Sequence, residues 1–509
     1  MSNGQPSTRS LNLQGIGSRK LQIVSTLLAT LLACIVLLTL LGHKPLTNWD
    51  EGIYAEISRE MLSSNPLIPH WNYRPWFEKP PLMPWITAIF FRFFGINEFW
   101  ARAGSALSGV AIVALLHSWL MSRRDALAAW LSTLILLSTF GFLHVCRVGE
   151  MDALLSLGCC LALCGLTAIQ DGRLNGWYLF WAGLAVSLMT KGAACIVLVL
   201  TAALFAAFER WNPKRLGKNF WLGLSLFLLA VLPWHIYMAD RFGDSFLSEY
   251  LGFHVVARAT HQIEDHITYW WYYFWVLLIS AAPFALLYPL AIIDSFRRKQ
   301  LRAWSIFALV VVGFFTVIQT RLPHYIAPAY PAFAIVTSIF LADRLRALEQ
   351  KHKQSPTSFW IKATLLITAA CLVSALLTGG PRRKLHQAKV GPDTVSAEKE
   401  SIELLREVFY PPQTVEGSLL VWWEGNARSI ATSVFYSRRP VQQIQLQPSS
   451  SQPATDKYLF QPVPLDDALA SGPHMILLDR YLVPQIPSEF SYHPILSGRS
   501  MEVGVIARR

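Results

Sequence analysis

Between Asn48 and Arg102 the chain gathers Asp50, Glu51, Glu78 and Lys79 into one connection, rich in aromatic residues and prolines, that separates two apolar runs. A carboxylate such as Asp50 can take the proton from a hydroxyl or amine as that group attacks an electrophilic carbon, with Glu51 its neighbour in the same role. An ammonium such as Lys79 can hold a phosphate and neutralise it as it leaves. The run Glu78-Lys79-Pro80-Pro81 keeps its acid and base in an extended segment, because proline disfavours helix at itself and at its predecessor. A connection this long between apolar runs is expected to carry work of its own.

Later residues extend the same chemistry. Asp152, in RVGEMDALL, offers a second carboxylate, and Arg258 and Arg321 are isolated cations suited, like Lys79, to a phosphate group at the membrane surface. His324 and Tyr325 follow Arg321 in RLPHYIAPAYPA, with Tyr330 as a further lining residue. Each has an ordinary alternative. Asp is a preferred N-cap, which would account for Asp50. Asp152 could cap a helix or pair with Arg147. A Lys or Arg at a span end commonly snorkels toward lipid headgroups, and His324 would serve a helix end as well as a phosphate. The run from Tyr269 to Trp275 reads as an aromatic belt at a membrane surface.

The elements that must position these residues are helical and membrane-bound. With 509 residues, 53% hydrophobic and 15% charged, the composition excludes an ordinary soluble protein. Apolar runs near 21–42, 99–121, 126–146, 151–169, 176–190, 192–208, 220–238, 271–293, 303–319, 325–342 and 359–379 predict an all-α polytopic membrane domain of about 11 to 13 transmembrane helices. Interfacial helices accompany them. Asp50 and Glu51 open a short helix with Ile53, Ile57 and Met61 on one side and Glu56, Arg59 and Glu60 elsewhere, expected to lie along the membrane surface. Residues 82–94 are apolar but too short to span, which suits an interfacial or re-entrant helix.

The net charge of +12 does not indicate nucleic acid, because the Lys and Arg are collected in clusters between spans. Arg9, Arg19 and Lys20 precede the first span, which carries no clear cleavage site and so reads as an uncleaved first helix. Threading from a cytoplasmic N-terminus puts Arg123 and Arg124, the basic residues at 210–218 and 297–302, and those at 344–353 on the cytoplasmic side. The candidate chemistry then falls on the outer face of a plasma membrane protein. A charge at mid-span would cost about 2.5 to 3.5 kcal/mol, which favours the outer boundary for Asp152 and Arg321. All seven cysteines lie in or beside apolar runs, which indicates packing and neither a disulfide framework nor a zinc knuckle.

Residues 1–380 are thus expected to form the membrane domain, with 44–98 as its first outer loop. Residues 381–509 contain no further span and are expected to form a small extracytoplasmic α/β domain, built from SLLVWW, HMILLD, MEVGVIA and a helical pattern around Ala397 to Phe409.

Trp49-Asp50-Glu51 at the end of a first span, then YAEISREML and FEKPPL, resembles the polyprenyl-phosphate-dependent C-type glycosyltransferases, which include aminoarabinose transferases and protein O-mannosyltransferases. The likeness returns at RVGEMD, HITYWWYY and RLPHYIAPAYPA and is faint over the last 130 or so residues. It implies Asp50 as the catalytic aspartate, Asp152 as the second acidic motif, and net inversion by direct displacement. It also matches Glu78 and His266 to positions that hold a divalent metal in some members; a histidine and carboxylate pair suits zinc. No cofactor is otherwise required. The implied partners are a polyprenyl-phosphate-linked sugar donor, membrane lipids, and a lipid A or other cell-envelope acceptor, with protein hydroxyls as the alternative. From other classes, a lipid-linked sugar flippase would show midplane ionisable residues and related halves, neither of which is evident, although Lys191 between two short apolar runs is the feature it would use. A non-catalytic lipid-binding scaffold would keep Asp50 without turnover.

Overall fold

The structure is a computed structural model that describes residues 8–47, 49–257, 269–352, 392–409, 418–422, 430–445 and 463–509. The chain forms two compact units: one of residues 1–41, 77–83 and 102–379, the other of 42–76, 84–101 and 380–509.

The first unit is helical throughout. Its spans include α1 (Thr8–Leu38), α4 (Glu98–Arg123, from Arg102 onward), α7 (Asp152–Gln170), α8 (Gly176–Lys191), α9 (Ile196–Phe208) and α10 (Lys218–Phe242). Where no water can pair with the backbone, a helix satisfies its own polar groups, which is why the apolar runs take this form. Among the described residues six helical stretches, with α8 and α9 counted as one and Lys299–Val317 included, are long and apolar enough to cross a membrane, or up to eight if each bent pair is one span. The two bent pairs are α5 (Ala126–Ser138) with α6 (Phe140–Arg147), and Tyr272–Ser280 with Phe284–Ser295. The expected span at 359–379 lies outside the described residues.

Helices α8 and α9 make two traversals. Lys191, at the end of α8, lies against Asp152 at the start of α7, while Glu209, just past α9, meets Gln170 at the other end of α7. The reversal is at Gly192, whose φ of 53° suits glycine. By helical rise the two ends of α7 are about 28 Å apart. At the Gln170 end gather the basic clusters: Arg123 with Asp171, Arg124 with Asp343, Arg298 with Asp343 at 2.6 Å, Arg346 with Asp125 at 2.7 Å and Arg302 with Glu209 at 2.7 Å. The alternation of basic loops seen along the chain is therefore a spatial segregation within this unit.

The tightest contact between helices is α7 against α8. A Cβ added at Gly183 would lie 2.3 Å from the Gly158 carbonyl oxygen, and one at Gly176 would lie 2.5 Å from that of Gly165. Small residues let two backbones approach where lipid offers no hydrophobic drive for association. This close approach aligns the Asp152 and Lys191 ends.

The second unit holds α2 (Asp50–Glu60), a hairpin of β1 (His70–Trp71) and β2 (Arg74–Pro75), most of α3 (Leu82–Phe94), and an α/β fold near the C-terminus. Helix α3 has the length expected of an interfacial helix. The hairpin turns through Asn72 and Tyr73, both at positive φ (52° and 61°). That is the two-residue pattern matching strand twist, usually filled by Asn-Gly. The α/β fold is a mixed sheet in the order β5-β4-β3-β6-β8-β7, in which β3 (Leu419–Trp422), β4 (Val441–Gln445), β5 (Val463–Pro464) and β6 (His474–Asp479) run parallel, and β8 (Met501–Arg508) runs antiparallel to both of its neighbours, β6 and β7 (Phe490–Ser497). Leu420, Trp422, Ile476, Leu478 and Ile506 fill the core on one face. The helix Pro392–Phe409 matches the pattern read around Ala397 to Phe409, and the helix Ile430–Ser437 was not foreseen.

The glycine contact generates a prediction. Gly183→Val would drive a branched side chain into the backbone of α7, a fixed obstacle, and overpacking of this kind costs about 1 to 3 kcal/mol. A lowered melting temperature in detergent is expected, while an unchanged one would mean that α7 and α8 do not meet as described.

Candidate active site

In the first unit the residues singled out by sequence converge on Asp152. It opens α7, is 3% exposed, and its Oδ1 lies 2.7 Å from Lys191 Nζ. Lys79 and His324 also act on it electrostatically. Arg147, the partner considered from sequence, is engaged elsewhere: its guanidinium donates to the carbonyls of Val36, Leu37 and Thr39 at 2.7 to 3.0 Å, capping the end of α1. The Lys191 ammonium stands 5.3 Å from the centre of the Tyr325 ring, a cation–π distance, and the His324 ring packs edge-on against Tyr325. Three nitrogen groups, one carboxylate and a phenol thus share one end of the span bundle.

Lys79 lies 3.8 Å from Glu78. Glu249, in the connection after α10, accepts from the Phe77 backbone N–H, and burial, with the charge of Glu78, pushes its carboxyl up to about 7. Phe77 is held by Phe242 and Phe246, at ring distances of 4.9 and 5.8 Å. Arg321 turns back along its own chain, donating from Nε and Nη2 to the Thr316 carbonyl at the end of the helix Lys299–Val317. Tyr330 bonds Ser280 at 2.8 Å and packs against Gly141. Arg258 and His266 lie outside the described residues. Among the described residues no three His, Cys, Asp or Glu side chains group as a metal site.

Asp50 and Glu51 belong to the second unit. The N-cap of α2 is Trp49, at φ 74°, a conformation that costs a bulky residue of order 1 to 3 kcal/mol and clusters at functional sites. Asp50 is the first helical residue and not the cap, and among the described residues its carboxylate takes no hydrogen-bond or ion-pair partner. The Glu51 carboxylate is committed to the turn before the helix, accepting from Thr47 N–H at 2.6 Å and Thr47 Oγ1 at 2.9 Å.

Helix α2 departs from the amphipathic expectation. Glu56 and Glu60 are 0% and 2% exposed, so its polar side is enclosed as fully as its apolar one. The enclosed charge is compensated locally. Arg59 donates to both oxygens of Glu56, at 2.8 and 2.5 Å, and Glu60 accepts from the Tyr73 backbone N–H at 3.0 Å. Burial, with the charge of Glu56 beside it, pushes the Glu60 carboxyl up to about 8, so Glu60 keeps its proton at neutral pH.

Sequence reasoning placed Asp152, Lys79, His324 and Tyr325 without their partners. It missed Lys191 as the counter-ion of Asp152, a pairing across 39 residues. The available signal was a lone Lys followed by Gly between two apolar runs, since an ionisable residue at a span end demands a partner.

A pH dependence follows from Glu60. Its carboxyl titrates near 4.5 unfolded and about 8 folded, so between those values the folded chain holds a proton that the unfolded chain has lost. Stability of this unit should fall as pH rises across that window and level off above it. Thermal melts from pH 5 to 9 should show the slope in the wild type and a flatter response in Glu60→Gln; equal slopes would mean that Glu60 is not the group that holds the proton.

A family profile described as dolichyl-phosphate-mannose-protein mannosyltransferase matches residues 78–237. The undecaprenyl phosphate-alpha-4-amino-4-deoxy-L-arabinose arabinosyl transferase of Serratia proteamaculans is 27% identical over 388 residues, 72% of this chain and 68% of that protein. Arabinosyl transferase 2 of Pseudomonas fluorescens is 31% identical over 351 residues, 64% of this chain and 57% of its own length. The match thus spans less than two thirds of some of these relatives. ArnT from Cupriavidus metallidurans superposes with a TM-score of 0.70 in its apo form and 0.69 bound to undecaprenyl phosphate, at 20% identity, covering 94% of this chain and 97% of that one. At that identity the structural likeness is one of fold, and it extends through both units. Profile, relatives and fold point the same way, and over much of its length the chain is similar to polyprenyl-phosphate-dependent C-type glycosyltransferases.

Proposed function

We propose that this membrane protein takes a sugar from a polyprenyl-phosphate carrier and passes it to a lipid A or other cell-envelope acceptor on the extracytoplasmic face. The observation that carries the reading is the cationic set of Lys79, Lys191 and His324 drawn around Asp152, at the end of the bundle opposite the basic clusters. A lipid-linked phosphate sits at headgroup depth, where such a set would meet it. Tyr325 belongs to the same set, and Arg258 and Arg321 are proposed as outlying cations for the carrier. The opposite, Arg-rich end would face the cytoplasm by the positive-inside rule.

In the reaction, the acceptor oxygen or nitrogen attacks the anomeric carbon while Asp50 takes its proton, and the bond from that carbon to the phosphate oxygen breaks. The phosphate leaves with the bonding pair, and its charge is met by lysine. Displacement in one step inverts the anomeric centre. The leaving group is part of the donor, so the reaction draws on no nucleotide sugar or soluble cofactor; Glu78 and His266 remain the proposed ligands should a divalent metal such as zinc be held. The sugar is proposed to be 4-amino-4-deoxy-L-arabinose, on the strength of what the relatives transfer. The description of the matching profile favours a second reading for the acceptor, protein hydroxyls.

The test is sugar transfer by the purified protein from polyprenyl-phosphate aminoarabinose to lipid A, with donor binding measured alongside. Asp50→Asn leaves a residue that caps nothing and loses only a helix-dipole interaction of about 0.3 to 1 kcal/mol, so the fold should stand. Turnover should fall roughly 10²- to 10⁴-fold with the carrier still bound. Near-normal transfer by Asp50→Asn would move the base to Asp152. Lys79→Ala should instead weaken donor use by about 1.5 to 3 kcal/mol, the worth of a charge-assisted bond; unchanged donor binding would mean that Lys79 only snorkels.

A further inference from the structure

Helix α2 is pinned at both ends by the α/β fold of its own unit. Ahead of it, the Leu46 N–H donates to the Tyr436 hydroxyl at 2.9 Å. That hydroxyl donates onward to Glu98 at 3.0 Å, and Arg406 closes the set with a 2.7 Å ion pair to Glu98. Tyr436 is 1% exposed, so these are buried bonds. Beyond α2, the hairpin tip bonds the same fold twice. The Asn72 side-chain amide donates to the Val441 carbonyl at 3.0 Å and accepts from the Val441 N–H at 2.9 Å. Among the described residues strand β5 joins β4 at Ile444 and Gln445, and Asn72 takes the backbone groups of Val441 further along the same edge. The Tyr73 hydroxyl donates to the Arg438 carbonyl at 2.8 Å and accepts from Arg59 of α2 at 2.9 Å. Between these anchors the helix Ile430–Ser437 packs along α2.

Strain converges on the same place. Asn72, Tyr73 and Arg438 all have positive φ, at 52°, 61° and 57°, and two of the three carry bulky side chains for which this region is costly. Such conformations persist only where surrounding structure over-determines them. Here both sides of one contact are strained and bonded to each other. A fold that merely shared the chain would gain nothing by it.

We propose that the C-terminal α/β fold is a positioning clamp for α2, in which Tyr436, Asn72 and Tyr73 act as positioning residues that hold Asp50 in register for proton removal. The proposal rests on the reading of Asp50 as the base. A base displaced by about 1 Å can lose 10²-fold in rate, whereas binding of the carrier phosphate through Lys79 does not depend on it. The clamp therefore acts on turnover and not on donor affinity.

Tyr436→Phe, Tyr73→Phe and Asn72→Ala in the full-length protein remove the bonds with little change in packing. Two measurements separate the questions: hydrogen exchange over residues 46–61 without substrate, and kcat with donor KM during transfer. The expected result is exchange faster by roughly tenfold, the size of one lost buried hydrogen bond, with exchange in α7 and α8 unchanged. With it, kcat should fall about tenfold while donor KM stays within about twofold. Exchange equal to wild type would overturn the clamp, and faster exchange with an unchanged kcat, or a raised KM at constant kcat, would overturn its role in turnover. Should wild type transfer no sugar while the variants still exchange faster, the clamp stands and the glycosyl-transfer reading falls.

Discussion

A carboxylate buried at the head of a membrane span survives only beside a counter-charge, and the Asp152–Lys191 pair meets that requirement. The desolvation of two ions is costly, several kcal/mol each, and is offset only by close geometry. The geometry comes from glycine: Gly158 with Gly183 and Gly165 with Gly176 let α7 and α8 approach until their backbones nearly touch. The helical hairpin then delivers Asp152 and Lys191 to the same end, 2.7 Å apart. Lys79, His324 and Tyr325 are recruited around that pair, and a polar site exists where bare lipid would forbid one. The same physics explains why the Asp152 carboxylate is found with Lys191, Lys79 and His324 around it.

The second unit solves a different problem. Helix α2, which carries Asp50, is only eleven residues long, too short to be stable alone in water. Burial of both its faces supplies the rigidity, at the cost of enclosing Glu56, Arg59 and Glu60. Arg59 neutralises Glu56, a proton kept by Glu60 neutralises the other acid, and Tyr73 ties the group to the sheet. Asp50 is left at the helix start with its carboxylate unengaged among the described residues.

How much of this could be read in advance depended on sequence distance. Composition and apolar run lengths announced the membrane fold, because a span must satisfy its backbone internally. Short motifs around Asp50, Lys79 and Asp152 carried the family likeness, since each packs several unusual residue types into a few positions. Strands β3, β6 and β8 were visible as apolar runs, while β4 (VQQIQ) and β7 (FSYHPILS) were not, because their polar residues hide a sheet pattern. Pairings across the chain left no trace: Lys191 with Asp152, and Tyr436 with Leu46 across 390 residues. The enclosed acids of α2 were misjudged because helical periodicity separates apolar from polar faces but does not say whether another fold covers the polar one.

The measurement that bears most directly on the account is mass spectrometry of lipid A, glycoproteins and polyprenyl-phosphate sugars from cells with and without this gene. Loss of one sugar from an envelope acceptor, together with accumulation of the same sugar on its polyprenyl phosphate, is the predicted result. An unchanged acceptor with an unchanged donor pool would contradict it.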